Sequence, residues 1–464
     1  MRKQPKPMTL ILSIGFILVI LGTCLPVKSS SNDVILVPRD YAAIQQAIDR
    51  ASPGDTIEVA SGTYNEELKI TKSIRLVGQG INRTIVSDRG TVIFVDADNV
   101  EIRGLSVRDG TYGIFLSYCQ NALLRDNEMS NNRWNFGVWG TSAYEFIHDI
   151  DSSNKVNGKT LYYWTSRNGG QVPKDAGYVA LVNSTGVLVK DATLTSNEQG
   201  VLLVSTTNSI VENVTAYGND EGIDSRWSSN NTVRKSRFHT INWRAFYLDQ
   251  SHNNSIYENT VLSSKYGLLV QNSTGNTLYH NNIVDNIDQV YTDLSTNSWF
   301  NDEIEEGNYW SDYAGQDQNG DGVGDTNTPW EGLDSFPLMK LRDFEPPRPI
   351  ARLDNMAFKG QATIFDAGET YDDAGISVFS WSFGDGATEN GREVSHTYAE
   401  TGEYSVTLTV LDLAGKSSSD TLQVTVVEPP LALEWWIAIL GLAAGGILVA
   451  SFFFLKGRSS KKGK

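Results

Sequence analysis

The sequence predicts an all-β protein: a right-handed parallel β-helix, followed by a small β-sandwich and one transmembrane helix. Three observations predict this fold class. Short apolar segments recur every 22 or 23 residues in the middle of the chain, alternating strands follow a proline-rich linker, and an uncharged run stands near the C-terminus. The chain has 464 residues, 40% of them hydrophobic and only 2 of them Cys, which indicates an ordered protein without a disulfide framework.

Residues 1–30 are predicted to be a secretory signal peptide. Arg2, Lys3 and Lys6 precede an apolar run from Met8 to Ile20, and small and polar residues follow. The alternative is an uncleaved membrane anchor.

The predicted β-helix covers residues 31–340. No unit of the repeat has enough apolar residues to form a core alone, so the units must stack. Three residues after each apolar anchor comes a column that is predicted to form a ladder of hydrogen-bonded amides. The anchors are Leu188, Ile210, Val233, Ile256 and Leu278, with Ile102 and Leu124; the column is Leu105, Asn127, Asp191, Asn213, Ser236, Asn259 and Asn281. Residues 142–182 interrupt the repeat and are predicted to form an inserted lobe.

Strand alternation predicts two columns of side chains on one outer face of the β-helix. The first is Phe115, Trp139, Leu202, Asp224, Tyr247, Leu269 and Tyr291; the second is Ser117, Thr141, Val204, Arg226, Asp249, Gln271 and Asp293. Rings and carboxylates together suit a sugar polymer, so a polysaccharide or a cell-envelope glycan is the predicted partner. The candidate substrate-binding residues are Trp139, Tyr247, Tyr291 and Gln271. The alternative is that another part of the chain covers this face.

The candidate catalytic residues are Asp224, Arg226 and Asp249, if the protein is an enzyme. Two carboxylates on adjacent coils suit a glycoside hydrolase, and an arginine near them suits a polysaccharide lyase. The alternative is a structural salt bridge between Arg226 and Asp249.

Residues 317–325 resemble a calcium-binding loop. The candidate ligands are Asp317, Asn319, Asp321, Asp325 and the carbonyl oxygen of Val323, and Gly322 permits the sharp turn. The twelfth position is Thr328 rather than Glu. We therefore expect a structural calcium ion, with a Gly- and Asp-rich turn as the alternative.

The segment Ile44–Gly80 and the run Gly307–Tyr313 resemble the NosD-like family of β-helix proteins, which share the carbohydrate-binding and sugar-hydrolase (CASH) repeat. The resemblance covers about residues 33–340 and implies an amphipathic helix that caps the first coil. The family name also raises copper binding. Only His252 and His280 fall in nearby coils, at different repeat offsets, so the sequence argues against copper binding.

After the linker Pro346–Pro349, residues 347–428 show short alternating strands typical of a β-sandwich. The runs WSFGDG (381–386) and VSHTYAETGEYSVTLTV (394–410) resemble a polycystic-kidney-disease (PKD) domain. Such domains act as spacers or binding modules. We expect Trp381 and Tyr404 in the core and Asp385 in a turn.

Residues 435–455 carry no charge and are long enough to span a bilayer, and residues 456–464 form a basic tail. The sequence therefore predicts a single-pass protein of the cell membrane, with an extracellular ectodomain and a short cytoplasmic tail.

The net charge is -17. Nine of the 38 basic residues lie at the two ends, so 29 basic residues face 55 acidic ones between them and that part carries -26. A surface so acidic argues against a nucleic-acid partner.

Overall fold

The structure is a computed structural model that describes residues 32–429, apart from 354–355, 373–374 and 414. The chain forms two compact units that divide between Gly158 and Lys159. The predicted signal peptide (1–30), membrane span (435–455) and basic tail (456–464) lie outside the described residues. Within the described part, no helix is both long enough and apolar enough to cross a membrane.

The first unit is built from three sheets of parallel strands, and each coil of the chain adds one strand to each sheet. In spatial order, one sheet contains Val34–Val37, Thr56–Val59, Arg75–Val77, Glu101–Arg103, Leu123–Arg125 and Asp149–Ile150. A second contains Trp134–Trp139, Tyr112–Ser117, Thr91–Val95 and Leu68–Ile70, and the third contains Gly62–Asn65, Thr84–Ser87, Ser106–Arg108, Glu128–Ser130 and Lys155–Val156.

The helix Ile44–Arg50 packs on the first strands of this unit, where the resemblance had placed a cap. Its apolar side is buried, and its two ends are satisfied by charged side chains. The Glu66 carboxylate accepts hydrogen bonds from the backbone N–H groups of Ile44 and Gln45, both at 3.0 Å. Lys72 donates to the carbonyl oxygens of Ile48, Asp49 and Ala51. A short 3₁₀ helix covers Ala143–Phe146.

The second unit repeats the three-sheet pattern. We name its sheets the long-strand sheet, the lateral sheet and the docking sheet. The long-strand sheet contains Lys159–Thr165, Ala176–Val182, Gln199–Val204, Glu221–Arg226, Arg244–Asp249, Tyr266–Gln271 and Asp288–Asp293. The lateral sheet contains Gln171–Val172, Leu188–Lys190, Ile210–Glu212, Thr232–Arg234, Ser255–Tyr257, Thr274–Tyr279 and Thr296–Ser298. The docking sheet contains Thr193–Thr195, Thr215–Tyr217, Arg237–His239, Thr260–Leu262, Asn282–Val284 and Tyr309–Trp310.

Stacked apolar side chains fill the interior of the second unit, as the repeat predicts, but two of the predicted anchors are wrong by one residue. The lateral sheet aligns Val189, Val211, Val233, Ile256 and Leu278. Leu188 and Ile210 are each one position outside the buried row. In both strands two neighbouring residues are apolar, so the spacing alone allows either register.

The same one-residue error affects two members of the predicted amide column. Asp191 and Asn213 have positive φ angles of 58° and 52° and lie in turns instead. The buried ladder of the second unit begins at Ser236 and continues through Asn259, Asn281 and Asn308, where each side-chain oxygen accepts a hydrogen bond from the N–H group of the preceding coil. Asn127 and Asn154 form the same ladder in the first unit.

The predicted inserted lobe, residues 142–182, is instead made largely of coil strands. Asp149–Ile150 and Lys155–Val156 pair with strands of the first unit. Lys159–Thr165 pairs in parallel with Ala176–Val182, which pairs with Gln199–Val204. The long apolar strand Ala176–Val182 is buried along its whole length, so it belongs to the wall of the coil.

Two sheets form the sandwich that follows the linker. One contains Arg352–Leu353, Ala362–Asp366 and Glu393–Thr397; the other contains Ala357–Phe358, Ser417–Val427, Gly402–Asp412, Ile376–Ser382 and Thr388–Asn390. Trp381 is fully buried as predicted, whereas Tyr404 is partly buried at the edge of the core. Asp385 accepts a hydrogen bond from the N–H group of Ala387 at 3.0 Å, as a turn residue does.

Candidate functional site

The structure aligns the two predicted outer columns of the long-strand sheet in register. Leu202, Asp224, Tyr247, Leu269 and Tyr291 are paired in consecutive strands, and so are Val204, Arg226, Asp249, Gln271 and Asp293. Neighbouring positions are therefore about 4.8 Å apart along each column.

The prediction for the first unit is off by two residues. Trp139 pairs with Ser117 rather than with Phe115, because Ile114 aligns with Phe136 and not with Val138. The Trp139 ring N–H donates to the Tyr118 hydroxyl at 3.1 Å. Trp139 thus lies in the first unit, and the other candidate residues lie in the second.

The outer face of the long-strand sheet is covered at one end and open at the other. Asp224 is 0% exposed and Tyr247 7%, whereas Tyr291 is 47% exposed. Leu202 and Val204 are also buried, which agrees with the alternative prediction of an outer core at that end. Asp224 and Arg226, two of the three candidate catalytic residues, therefore lie in the covered part. The candidate substrate-binding residues Gln271 and Tyr291 lie where the face opens.

Asp224 and Arg226 form a buried ion pair within one strand. The Nε atom of Arg226 lies 2.9 Å and 3.0 Å from the two carboxylate oxygens of Asp224. Burial raises the pKa of Asp224 above its ordinary value, and the charge of Arg226 opposes that rise. Among the described residues Arg226 has no salt bridge to Asp249, so the predicted cross-strand bridge is replaced by this pair. Asp249 accepts a hydrogen bond from the side-chain amide of Asn272 at 3.3 Å.

A second buried ion pair joins Glu221 and Arg244 in neighbouring strands. The guanidinium of Arg244 lies 3.7 Å from the ring centroids of both Trp243 and Tyr247. Burial lowers the pKa of Arg244 to about 10. This pair is not among the predicted site residues, although opposite charges 23 positions apart in a 22- to 23-residue repeat are a sequence signal for it.

Tyr247 connects the covered part of the face to its open part. Its hydroxyl donates to the side-chain oxygen of Gln271 at 3.2 Å, and the guanidinium of Arg226 lies 5.2 Å from its ring. The structure thus brings Asp224, Arg226, Tyr247 and Gln271 together on one face. This arrangement combines a buried carboxylate with a raised pKa, a cation and a phenol, which is the kind of environment that active and binding sites provide.

The predicted calcium loop has its acidic side chains bonded to its own backbone. Asp317 accepts hydrogen bonds from the N–H groups of Gly320 and Gly322, and Asp325 from that of Gln318. The Asn319 amide donates to Asp321 at 2.9 Å. The hydrogen bond from the Gly322 N–H group lowers the pKa of Asp317. The calcium site itself stays a prediction.

One other group of carboxylates could share a cation. The oxygens of Asp343, Asp372 and Asp412 lie within 4.8 Å of one another, and they are the one group of three acidic, His or Cys ligands found in the described part of the chain. The ammonium of Lys416 lies 3.1 Å from Asp343 and already supplies positive charge there.

The histidines are dispersed, and burial lowers the pKa of two of them to about 4, those of His148 and His239. His252 accepts a hydrogen bond from the N–H group of Thr274, and His280 bonds Glu306 at 2.6 Å. His396 bonds Asp385.

Comparison with known proteins identifies the sandwich and the coils separately. The model of the PKD domain matches residues 345–426. The PKD1 domain of Vibrio anguillarum Epp is 25% identical and covers 19% of this chain and 100% of that domain, with a TM-score of 0.17.

Two curated relatives are collagenases named ColA. The enzyme from Clostridium perfringens is 35% identical over 83 residues, and the enzyme from Bacillus cereus is 41% identical over 59 residues. These segments are 18% and 13% of this chain but only 8% and 6% of the relatives.

Solved structures similar to this chain include alginate lyase from Paenibacillus sp. str. FPU-7, which is 16% identical over 58% of this chain and 100% of that one, with a TM-score of 0.28. The A-module of the mannuronan C-5 epimerase AlgE6 from Azotobacter vinelandii is 16% identical over 56% of this chain and 76% of that one, with a TM-score of 0.29. The model of the family described as "Periplasmic copper-binding protein (NosD)" matches residues 48–168 and 152–315, which is more than half of the chain, so this protein belongs to the NosD family and carries a PKD domain.

Proposed function

We propose that this protein binds a polysaccharide or cell-envelope glycan along the open end of its long-strand sheet. The observation that carries the proposal is the pair of in-register columns at that end, where Tyr291 follows Tyr247 and Leu269 in one column and Gln271 lies between Asp249 and Asp293 in the other. Tyr247 is 7% exposed, so Tyr291, at 47%, supplies the accessible ring. Rings can cover the apolar faces of sugars, while amides donate to and accept from their hydroxyl groups and carboxylates accept from them.

The regular spacing of the two columns supports a polymer rather than a small molecule as the ligand. Each coil repeats the same two outward positions about 4.8 Å further along. A chain of sugar residues laid across the strands would therefore meet two outward side chains at each coil. The polar side chains at the open end, Gln271 and Asp293, suit such an exposed and shallow site.

Binding can be measured with the purified full-length protein on a panel of neutral and acidic polysaccharides, by affinity electrophoresis. We expect Tyr291→Ala and Gln271→Ala each to weaken retention by about tenfold, the equivalent of about 1.4 kcal/mol. Tyr144→Ala, which removes an exposed tyrosine of the first unit, is the matched control and should retain normal binding. Equal retention by all three variants would contradict the proposal.

Catalysis on the same glycan is the second candidate function. It is favoured by the pKa of Asp224, which burial raises as suits a general acid, and it requires the covered end of the face to open, because Asp224 is 0% exposed. Asp224, Arg226 and Asp249 would then serve a glycoside hydrolase or a polysaccharide lyase. New chain ends that form with the wild type and not with Asp224→Asn would establish turnover.

Copper binding is named in the description of the family, and the described donors do not fit it. Copper favours His, Met or Cys ligands in clusters. Within residues 32–429 the one group of three candidate ligands consists of aspartates, whose hard oxygen atoms suit other cations. We therefore propose no copper-dependent function.

The location at the cell surface is part of the proposal. It is supported by the apolar run before residue 31, the uncharged run 435–455 and the basic tail 456–464. A structural calcium ion in the loop 317–325 likewise remains part of the proposal, on the pattern of Asp317, Asp321 and Asp325.

A further inference from the structure

A cleft of about 510 Å³ lies between the docking sheet and the sandwich of the second unit. The coils contribute Thr193, Thr215, Tyr217, Arg237 and His239 to its lining. The linker and the sandwich contribute Arg348, Ile350, Gly368, Glu369, Thr370, Tyr371 and Arg392. Its volume is in the range of ordinary ligand sites, and it is separate from the long-strand sheet.

Tyr217 and His239 supply aromatic surface in this cleft. Tyr217 and His239 are paired in neighbouring strands, and their ring centroids lie 5.0 Å apart with an interplanar angle of 10°. Tyr217 is 39% exposed although it is a large aromatic residue. Burial, followed by the charge of Arg237, lowers the pKa of His239 to about 4, so its ring is neutral at neutral pH. A sugar ring has an apolar face that can stack on such a surface.

The cleft is basic in a strongly acidic protein. Three of its lining residues are arginines and one is a glutamate, whereas the whole chain carries a net charge of -17. Arg237 donates to the carbonyl oxygen of Asp372 at 2.8 Å, and Arg392 donates to that of Gly368. These bonds fix the guanidinium groups at the edge of the cleft before any ligand arrives, which reduces the entropic cost of binding.

Hydroxyl groups complete the lining. Thr193, Thr215 and Thr370 come from both sides of the cleft, and Thr215 is bonded to the Tyr371 hydroxyl at 3.1 Å. Hydroxyls both donate and accept, so they match the hydroxyl groups of a sugar.

We propose that this cleft binds a carboxylate-bearing sugar residue of an acidic polysaccharide. The sugar ring packs on the exposed part of Tyr217, and its carboxylate lies near Arg392 at the edge, with Arg237 and Arg348 adding positive charge. This site is distinct from the outer face of the long-strand sheet, and it selects acidic over neutral sugars because of its charge. A neutral sugar would gain nothing from that charge.

The test uses the full-length protein, isothermal titration calorimetry and one pair of ligands: an oligogalacturonate and the same oligosaccharide as its methyl ester. Esterification keeps the rings and removes the charge. We expect the ester to bind about tenfold more weakly, and Tyr217→Ala and Arg392→Gln each to weaken binding of the acid form by about tenfold.

Matched variants separate this cleft from other surfaces. Tyr257→Ala removes a ring from the stacked pair Tyr257 and Tyr279 on the lateral sheet, whose centroids lie 5.2 Å apart, and should leave the affinity unchanged. Tyr217→Phe keeps the stack and should retain binding, which guards against a folding defect in Tyr217→Ala.

Three results would overturn the proposal. They are equal affinity for the acid and ester forms, wild-type affinity in both Tyr217→Ala and Arg392→Gln, and no binding of the acid form at all. Loss of all acid-form binding in Tyr291→Ala alone would also overturn it, while supporting the glycan site on the long-strand sheet. Acid-selective binding that survives in Tyr291→Ala supports the cleft whether or not that other site exists.

Discussion

Asp224 is a fully buried carboxylate whose charge is compensated by Arg226, two residues later in the same strand. A buried charge that loses its partner is costly. We therefore expect Arg226→Met to lower the free energy of unfolding by about 3–5 kcal/mol. Urea denaturation monitored by circular dichroism measures this change.

The double variant Asp224→Asn with Arg226→Met is the control for that prediction. It removes both charges, so it should lose clearly less stability than Arg226→Met alone. If the single and double variants are equally unstable, the loss comes from packing of the arginine side chain and not from the isolated carboxylate.

His148 should make stability depend on pH. It is 4% exposed, its Nδ1 atom accepts a hydrogen bond from the Ala122 N–H group, and burial lowers its pKa from 6.5 to about 4. Between these two values the unfolded chain binds a proton that the folded chain does not. Stability is therefore complete above about pH 6.5 and is lost as the pH falls toward 4, by up to about 3 kcal/mol.

Urea unfolding of the wild type and of His148→Gln at several pH values between 4 and 7 checks this expectation. Carboxylates also titrate in the lower part of this range, so the difference between the two proteins is the quantity of interest. A wild type and a variant with the same slope would contradict the assignment to His148.

At the scale of single residues, the sequence could predict which residues share an outward column, but not which oppositely charged group each charged side chain bonds. The repeat places Arg226 beside Asp249 in the next coil, and the structure confirms that register. The guanidinium nevertheless turns to Asp224, because side-chain torsions, which spacing does not specify, decide between two nearby carboxylates.

One repeating element of the second unit is the buried ladder from Ser236 to Asn308, and Asn259 is a central member of it. Its side chain accepts a hydrogen bond from the Ser236 N–H group and donates to the Val233 carbonyl oxygen at 2.9 Å and to Asn281 at 3.0 Å. A carboxylate could still accept but could not donate. We expect Asn259→Asp to lower the free energy of unfolding by about 3 kcal/mol at neutral pH.

Asn208→Asp is the matched control, because Asn208 is exposed and lies in a turn with φ of 51° that Asp tolerates. Its loss should stay below about 1 kcal/mol. Chemical denaturation of the two variants compares them directly, and equal losses would show that the ladder does not depend on its donors.

At the scale of strands, the period could be read from the sequence and the exact register only in part. Ile102 pairs with Leu124 as predicted, and Ile102 is the one apolar residue of its strand, Glu101–Arg103. In the strand Ile210–Glu212, by contrast, Ile210 and Val211 are both apolar and have no such unambiguous neighbour in Leu188–Lys190, so the predicted register was wrong by one residue. The strand Ala176–Val182 was predicted as part of an inserted lobe, because it is apolar at nearly every position and shows no alternation. A strand that is buried on both faces has this pattern.

For the whole molecule, the sequence could predict the two architectures but not how the sandwich meets the coils of the second unit. Composition, period and turn residues are local signals, and they located the β-helix and the sandwich. The contacts between them join single residues 135 and 156 positions apart in the chain, and no repeat marks them. The cleft between the sandwich and these coils could therefore not be predicted from sequence patterns.

Arg237 is central to this docking. Its guanidinium donates to the Asp372 carbonyl oxygen at 2.8 Å and lies 5.0 Å from the centroid of the Tyr371 ring. We expect Arg237→Gln to weaken the contact between the sandwich and the coils, so that local opening costs about 1.4 kcal/mol less. The amide groups of residues 368–372 and of Thr215–Tyr217 should then exchange hydrogen about tenfold faster.

Arg234→Gln is the matched control, since Arg234 lies on the lateral sheet and pairs with Glu212. Hydrogen exchange followed by mass spectrometry reports both segments at once. Faster exchange in both variants would show a general loss of stability, and unchanged exchange in Arg237→Gln would show that the sandwich is held on the coils by other contacts.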